Sequence, residues 1–437
     1  MPEATTYAFT TLGCRLNQAE SDAMAEDLAG RGLRVASDGD TPDLVVVNTC
    51  TVTREATKAS RMALRRAVKN NPGARVVAIG CYAESDPNEI AAIDGVDVVL
   101  GNDAKDSLAD ALGDRPPTGP LLQIGGLGPR DPGPVLAPRV RANLKVQTGC
   151  DEWCTFCIIP RTRGPLQTRE EDRVVADAAR KVEQGAREIV LTGVHLGKYG
   201  YDRGGDERDL IGLLQRLLAI DGLYRLRLSS VLSAHLTDDV VELIASEERI
   251  CRYLHVPLQS GSDEILAAMN RPYRIDDYVE RVERAKRSIP GVALATDIIV
   301  GFPGETDEHF AATMDVVRRL RFSKLHVFRY SARAQTAAAE MTDAVHPDIK
   351  KLRSKALIAL GNEIRSAFLE AHLQRPLEIL VEDEREIDGV SVCSGQTSDY
   401  VRVWFEGTGL LGKLVTVQGH EVRADGIRGG TLIDVGS

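Results

Sequence analysis

The 437-residue chain has no basic excess, since its formal net charge is −10, and this excludes an all-over basic coat for nucleic acid. It has no disulfide density either: eight cysteines in so long a chain are too few for a stapled secreted scaffold. No apolar run approaches the roughly 18 residues of a membrane span, and the opening MPEATTYAFTTLGC lacks a basic stretch followed by an apolar core. These absences predict a soluble, cytoplasmic protein with no membrane association. Thiols stay reduced there, and clustered cysteines are more often metal ligands or catalysts. At roughly 100 to 200 residues per domain the length implies two to four domains, with a core large enough to need no staples.

Three domains are expected. Residues 116–138, PPTGPLLQIGGLGPRDPGPVLAP, hold seven of the nineteen prolines with five glycines and read as a linker. Before it, over 1–115, the apolar runs TYAFTTLG, DLVVVN, RVVAIG and VDVVLGN alternate with helical patterns from Gln18 and Arg54. That text predicts an α/β domain with a parallel sheet. Over 139–373 the strands LKVQTG, EIVLTG, RLRLSS, YLHVPLQ, LATDIIVG and KLHVFRYS repeat the alternation, which suits an incomplete (β/α) barrel or a doubly wound sheet. From 374 to 437 short β-rich runs predict a small all-β barrel of the five-stranded, nucleic-acid-binding type.

Cys150, Cys154 and Cys157 have the spacing C-x3-C-x2-C directly after the strand LKVQTG. A structural zinc site would want a fourth ligand nearby, and the next cysteine is Cys251. Three thiolates suit instead a 4Fe-4S cluster with one iron left open. Trp153, Phe156, Ile158 and Ile159 interleave the ligands and are expected to exclude water. Cys14, Cys50 and Cys81 are 36 and 31 positions apart, yet each ends an apolar strand. Parallel strands bring such residues to one sheet edge, giving a second three-thiolate site; three small core cysteines are the plainer alternative. Cys251 is expected in the core and Cys393 has no assigned partner.

The 150–157 spacing, with aromatic Phe156 before the last cysteine, resembles the radical S-adenosylmethionine enzymes. TLGCRLNQAESD, VVNTCTVTREATKASR, GCYAE, GCDEWCTFCIIPRTRG and EIVLTGVHLGKYG together resemble their methylthiotransferase family over essentially the whole chain. NTCTVT with its following basic residues, and LTGVHLG, look most like the branch acting on N6-threonylcarbamoyladenosine beside the tRNA anticodon. Sister branches modify isopentenyladenosine in tRNA or a ribosomal protein. The resemblance implies a radical barrel between a methylthiotransferase domain and an OB-like TRAM domain. It implies an auxiliary 4Fe-4S cluster on Cys14, Cys50 and Cys81 and a radical-generating one on Cys150, Cys154 and Cys157. S-adenosylmethionine would be both methyl donor and radical source, and tRNA, a sulfur source and an electron donor such as flavodoxin or ferredoxin would be partners. HVPLQSGSDEIL, MNRPY and DIIVGFPGET also match the family pattern, and Gly193, Ser230, Gln259 and Asp297, with Phe156, would by resemblance neighbour S-adenosylmethionine. Turn chemistry alone would also explain Gly301, Pro303 and Gly304, and His255 reads as a hydrogen-bonded core residue. SARAQT at 331–336 and Thr148 before GC depart from the family pattern.

RNA binding depends on local rather than net charge. Arg54, Lys58, Arg61, Arg65 and Lys69 recur at helical spacing just after Cys50, so they line one helix face. The stripe is expected to face the tRNA backbone, with Arg161, Arg163 and Arg169 adding charge; a solvated face is the bland alternative. Residues 374–437 carry six basic and eleven acidic residues, yet Tyr400, Trp404 and Phe405 offer stacking and Arg402 a phosphate or base contact. A strand there would put Tyr400, Arg402 and Trp404 on one face, with Val401, Val403 and Phe405 in the core. The rival from another class is a non-catalytic iron-sulfur RNA-binding or sensor protein.

Overall fold

The computed structural model describes residues 6–37, 39–112, 139–373 and 375–435; the expected linker at 116–138 lies outside them. Five strands, β1 (Thr6–Thr11), β2 (Arg34–Val35), β3 (Leu44–Thr49), β4 (Arg75–Gly80) and β5 (Val98–Leu100), form a parallel sheet in the order β2-β1-β3-β4-β5. Every residue of β3 is buried, because helices cover both faces, and an unbroken apolar run such as LVVV is what a two-sided strand needs. Helix α1 (Arg15–Gly30) follows β1, starting three residues earlier than its expected Gln18. Helix α2 (Arg54–Asn70) follows β3, with the Thr53 hydroxyl accepting from the Ala56 N–H as its N-cap. The short helix α3 (Cys81–Ser85) follows β4.

The chain then runs through β6 (Arg141–Lys145), a small pair β7 (Gln147–Thr148) and β8 (Gln167–Thr168), and β9 (Glu188–Thr192), β10 (Arg225–Leu228), β11 (Tyr253–His255), β12 (Ala293–Val300) and β13 (Lys324–Arg329). β6, β9 and β10 pair in parallel, as do β11, β12 and β13. Parallel bridges Leu226 to Ile250 and Ser230 to His255 join the two sheets. The strands therefore follow one another without a reversal of order, which decides for the incomplete barrel over the doubly wound sheet. Its outward residues, such as Leu226, Leu254, Leu294 and Ile298, pack under the surrounding helices.

The first sheet contacts both edges of the barrel's opening. α1 packs along β6, and Arg333, beyond β13, donates to the carbonyl and hydroxyl of Thr51 and to Thr57 Oγ1 at 2.9 Å. The departing SARAQT stretch thus serves as a clasp. The remaining strands, β14 (Pro376–Ile387), β15 (Val390–Gln396), β16 (Arg402–Glu406), β17 (Leu414–Arg423) and β18 (Gly426–Val435), close a barrel in the order β14-β15-β16-β18-β17. It sits under the N-terminal ends of the incomplete barrel's strands. Arg225 donates to the carbonyls of Gln396 and Glu378, and Arg227 to those of Ser398 and Thr397. No helix among the described residues is long and apolar enough to cross a membrane.

Candidate active site

The order β2-β1-β3-β4-β5 reverses between β1 and β3, and crevices at such a switch point, beyond the carboxyl ends of the strands, are where open α/β sheets bind ligands. Cys14 and Cys50 directly follow those two strands and Cys81 follows β4. The three thiols do converge: Cys81 and Cys14 both act on the Cys50 thiol, which burial pushes up to about 11. Cys50 is held by Ser60 of α2, whose hydroxyl accepts its N–H at 3.0 Å and donates to its carbonyl at 2.8 Å. Gly13 lets the loop close on it. Its φ is +99°, and a Cβ there would stand 2.9 Å from both Cβ and Sγ of Cys50, so any larger residue would push that thiol aside.

Cys150, Cys154 and Cys157 also meet. Burial pushes Cys157 up to about 12 and Cys150 to about 11, with Cys154 adding to both. Thiols held neutral at pH 7 would have to release protons to bind iron, which would couple loading to pH. The Cys157 N–H donates to the Cys154 carbonyl at 3.0 Å, putting both thiols on one turn. The stretch MNRPY clamps that loop: Thr155 N–H bonds the Met269 carbonyl, Asn270 donates to the Trp153 carbonyl at 2.9 Å, and Arg271 Nη1 donates to Cys154 Sγ at 3.1 Å. Phe156 packs toward Met269 and Phe302 and Ile158 is buried. Trp153 does not shield the site. It is 62 % exposed.

Both thiol sets fit the chemistry of a three-thiolate cluster, and a buried charge network joins them. Arg163, six residues beyond Cys157, donates to Glu20 Oε1 at 2.8 Å and Oε2 at 3.0 Å, to Asn17 Oδ1 at 2.5 Å and to Thr148 Oγ1 at 3.2 Å. Lys105 Nζ reaches Glu20 Oε2 at 2.6 Å, and Lys145 reaches its other oxygen at 3.4 Å. Burial pushes the Glu20 carboxyl up, but these cations hold it far below the usual carboxylate range. Arg163 and Lys105 also face Cys81, giving the first thiol set a cationic back wall. The expectation that Arg163 meets RNA is thereby corrected: only 2 % of its side chain is exposed, spent on Glu20. Arg169 is likewise engaged by Asp177, while Arg161 is exposed.

Inside the barrel, Ser230 Oγ lies 2.9 Å from His255 Nδ1, and His255 Nε2 lies 3.0 Å from Asp297 Oδ1. His326 Nδ1 stands 3.3 Å from the same oxygen. Burial raises the Asp297 carboxyl, but the two histidines hold it well below the usual range. Ser230 and Asp297 are thus brought together, and His255 is hydrogen-bonded as expected; His326 was missed, since nothing in KLHVFRYS marks it beyond its inward register. Gly193 lies beyond β9, where a Cβ would meet Gln147 Oε1 at 2.8 Å. Gln259 holds a left-handed φ of 68° and donates its N–H to the Asp297 carbonyl.

The residues expected to contact RNA are placed unevenly. Arg54, Lys58, Arg65 and Lys69 are exposed on α2, and Arg61 is half-exposed, 3.5 Å from Glu89. Val401, Val403 and Phe405 are buried, and Arg402 lies over Trp404 at 5.4 Å on the other face. Tyr400 does not share that face. It precedes β16 in a turn, with φ 70°, and its ring enters the floor of the incomplete barrel under Arg227 (4.4 Å) and Arg15 (5.2 Å), against Tyr253. With Arg227 and Tyr253 against it, the ring is not displayed beside Arg402 and Trp404. Cys251 is core, and Cys393 is buried in the C-terminal barrel, its thiol donating to the Gly407 carbonyl at 3.2 Å.

Residues 144–317 match the radical SAM superfamily and residues 6–101 the uncharacterized protein family UPF0004. A threonylcarbamoyladenosine tRNA methylthiotransferase MtaB of Bacillus subtilis is 37 % identical, covering 94 % of this chain and 93 % of its own. The chain belongs to the radical S-adenosylmethionine methylthiotransferase family. Membership implies S-adenosylmethionine and a 4Fe-4S cluster as cofactors of an enzyme. Among other members, an MtaB of Aquifex aeolicus is 36 % identical over 94 % of this chain and 99 % of its own. A tRNA-2-methylthio-N(6)-dimethylallyladenosine synthase of Corynebacterium urealyticum is 34 % identical over 99 % of this chain and 80 % of its own. The fold is similar to the radical S-adenosylmethionine methyltransferase TsrM of Kitasatospora setae, with a TM-score of 0.56 at 17 % identity over 77 % of each chain.

Proposed function

We propose that this enzyme adds a methylthio group to C2 of N6-threonylcarbamoyladenosine next to the anticodon of tRNA in the cytoplasm, using two 4Fe-4S clusters. Two three-thiol sets, on separate bodies joined by the Arg163–Glu20–Lys105 network, carry this reading. One radical site alone would leave the convergence of Cys14, Cys50 and Cys81 without a purpose. The relatives named MtaB support the threonylcarbamoyl substrate.

In this reading Cys150, Cys154 and Cys157 hold the cluster at which S-adenosylmethionine is bound, and Cys14, Cys50 and Cys81 hold the auxiliary one. The cofactors supply the radical that activates C2 and the methyl group carried on sulfur. The chain's own residues position and insulate. Arg271 fixes Cys154 by a charge-assisted N–H bond, and Phe156 and Ile158 keep water from the radical loop. Gly193, Ser230 and Gln259 stand beyond strand ends, where a barrel builds its site, Asp297 points inward from β12, and all four neighbour S-adenosylmethionine. Arg163 and Lys105 balance negative charge at the auxiliary thiols. The α2 stripe, with Arg402 and Trp404, grips RNA. An electron donor of flavodoxin or ferredoxin type and a sulfur source complete the cycle.

Anaerobically loaded protein should hold about eight irons and, when reduced with S-adenosylmethionine, release 5′-deoxyadenosine. Replacing Cys14, Cys50 and Cys81 together by alanine should remove about half the iron while leaving that release. Unchanged iron would defeat the two-cluster reading, and absence of 5′-deoxyadenosine from wild type would favour a non-catalytic iron-sulfur protein.

A further inference from the structure

Below the Asp297 trio, the floor of the barrel opens into a cavity of about 150 Å³ lined by Tyr253, Tyr400, Phe368, Lys324, Arg365 and Arg402. Lys324 begins the edge strand β13 opposite Ala295, and the alternation of a strand puts it on the inward face with His326. Across the opening, Arg15 reaches in from beside Cys14, and its Nη2 donates to the Tyr400 hydroxyl at 2.6 Å. Behind Lys324, Arg365 meets the Ser323 carbonyl at 3.5 Å.

These cations have few anions to answer them. Among the described residues, Arg15, Lys324 and Arg365 make no ion pair with a carboxylate. Of the two acids lining the cavity, Asp399 is taken by His372 at 2.6 Å and Arg375 at 2.9 Å. Asp425 is exposed at the rim, where it acts on Arg365. Burial, with the like charges of Arg365 and Arg15, holds the Lys324 ammonium below the ordinary lysine range. Lys324, Arg365 and Arg402 line a small, aromatic-floored cavity, and Arg15 stands beside it on the Tyr400 hydroxyl, so that cations prevail where an anion could be held.

We propose that Arg15 and Lys324, backed by Arg365, bind the carboxylate of an amino-acid substituent on N6 of the target adenosine. This rests on the function proposed above and gives its substrate a physical discriminator. The cavity is far smaller than the roughly 300–1,000 Å³ of a whole-ligand pocket, so it suits a substituent rather than a base with its ribose. Because Arg15 adjoins Cys14, a substituent anchored there keeps its adenine within one side chain of the auxiliary thiols. An apolar isopentenyl group would cover the cations without answering their charge, and a site built for a polar group rejects an analogue lacking it.

The test uses full-length, cluster-loaded protein without reductant or S-adenosylmethionine, and three anticodon stem-loops differing only at one adenosine: unmodified, N6-threonylcarbamoyl and N6-isopentenyl. Wild type should bind the threonylcarbamoyl RNA most tightly. Arg15→Gln and Lys324→Gln should each weaken that binding about tenfold or more, the worth of a charge-assisted hydrogen bond, with little change for the other two RNAs. Lys324 lies on an exposed edge, so its variant keeps the test sound should Arg15→Gln disturb the Cys14 loop. An equal loss on all three RNAs would assign the cations to backbone phosphates and overturn the proposal, as would variants that keep the wild-type preference. Wild type preferring the isopentenyl RNA would instead overturn the substrate reading on which the proposal rests.

Discussion

Glu20→Gln should be among the most damaging single changes outside the cysteines, although Glu20 is only one surface-like letter in NQAESD. The side chain is 3 % exposed and accepts from Arg163 at 2.8 and 3.0 Å and from Lys105 at 2.6 Å. Amidation leaves two buried cations without their anion, and stripping one partner from such a group costs about 3–5 kcal/mol. Arg163→Met is milder, about 1.5–3 kcal/mol, because Glu20 keeps Lys105 and Lys145. At roughly 2–4 °C per kcal/mol for a unit of this size, the melting temperature of reduced, metal-free protein should fall about 6–20 °C for Glu20→Gln and less for Arg163→Met. The pH dependence has a definite sign. Burial holds Lys105 below its ordinary 10.5, so between those values the unfolded chain binds more protons and stability rises with pH. Removing Glu20 lowers Lys105 further, so the gap between variant and wild type should narrow as pH rises toward the ordinary lysine value. The depressed Glu20 carboxyl contributes above the ordinary Glu value, and that contribution is lost as acid protonates it. Equal melting of variant and wild type at pH 7, or a larger loss for Arg163→Met, would refute the reasoning.

Gly13→Ala should cost about half the iron, because its Cβ would collide with Cys50 at 2.9 Å; iron per chain and the spectrum of the remaining cluster report it, and full loading would count against the auxiliary site. Arg65→Glu with Lys69→Glu, on the exposed α2 face, should weaken tRNA binding and flatten its salt dependence by about two charges; unchanged affinity would mark the stripe as a solvated face. Arg402→Glu should weaken tRNA binding with both clusters intact, and tRNA affinity equal to wild type would remove Arg402 from the interface.

The sequence revealed residues whose spacing carries their meaning. C-x3-C-x2-C needs only one loop, and Cys14, Cys50 and Cys81 were legible because each ends an apolar strand in a parallel sheet. What stayed hidden depended on contacts between distant bodies. Arg163 looked like one more exposed cation until Glu20, 143 positions away, supplied its partner. Tyr400 read as part of a strand because YVRVWF alternates, yet the strand begins only at Arg402, and the preceding turn sends the ring into another barrel. Arg15 and Lys324 lie 309 positions apart, and only the closure of the first sheet against the radical barrel brings Arg15, through Tyr400, beside the cavity that Lys324 lines.

Mass spectrometry of tRNA nucleosides from cells with and without the gene tests the central claim most directly, since it reports reaction and substrate together. Loss of the 2-methylthio form of threonylcarbamoyladenosine, with its unmethylthiolated precursor accumulating and the isopentenyl nucleosides unchanged, is the predicted result. Loss of the methylthio isopentenyl nucleoside instead, or no change in either, would contradict it.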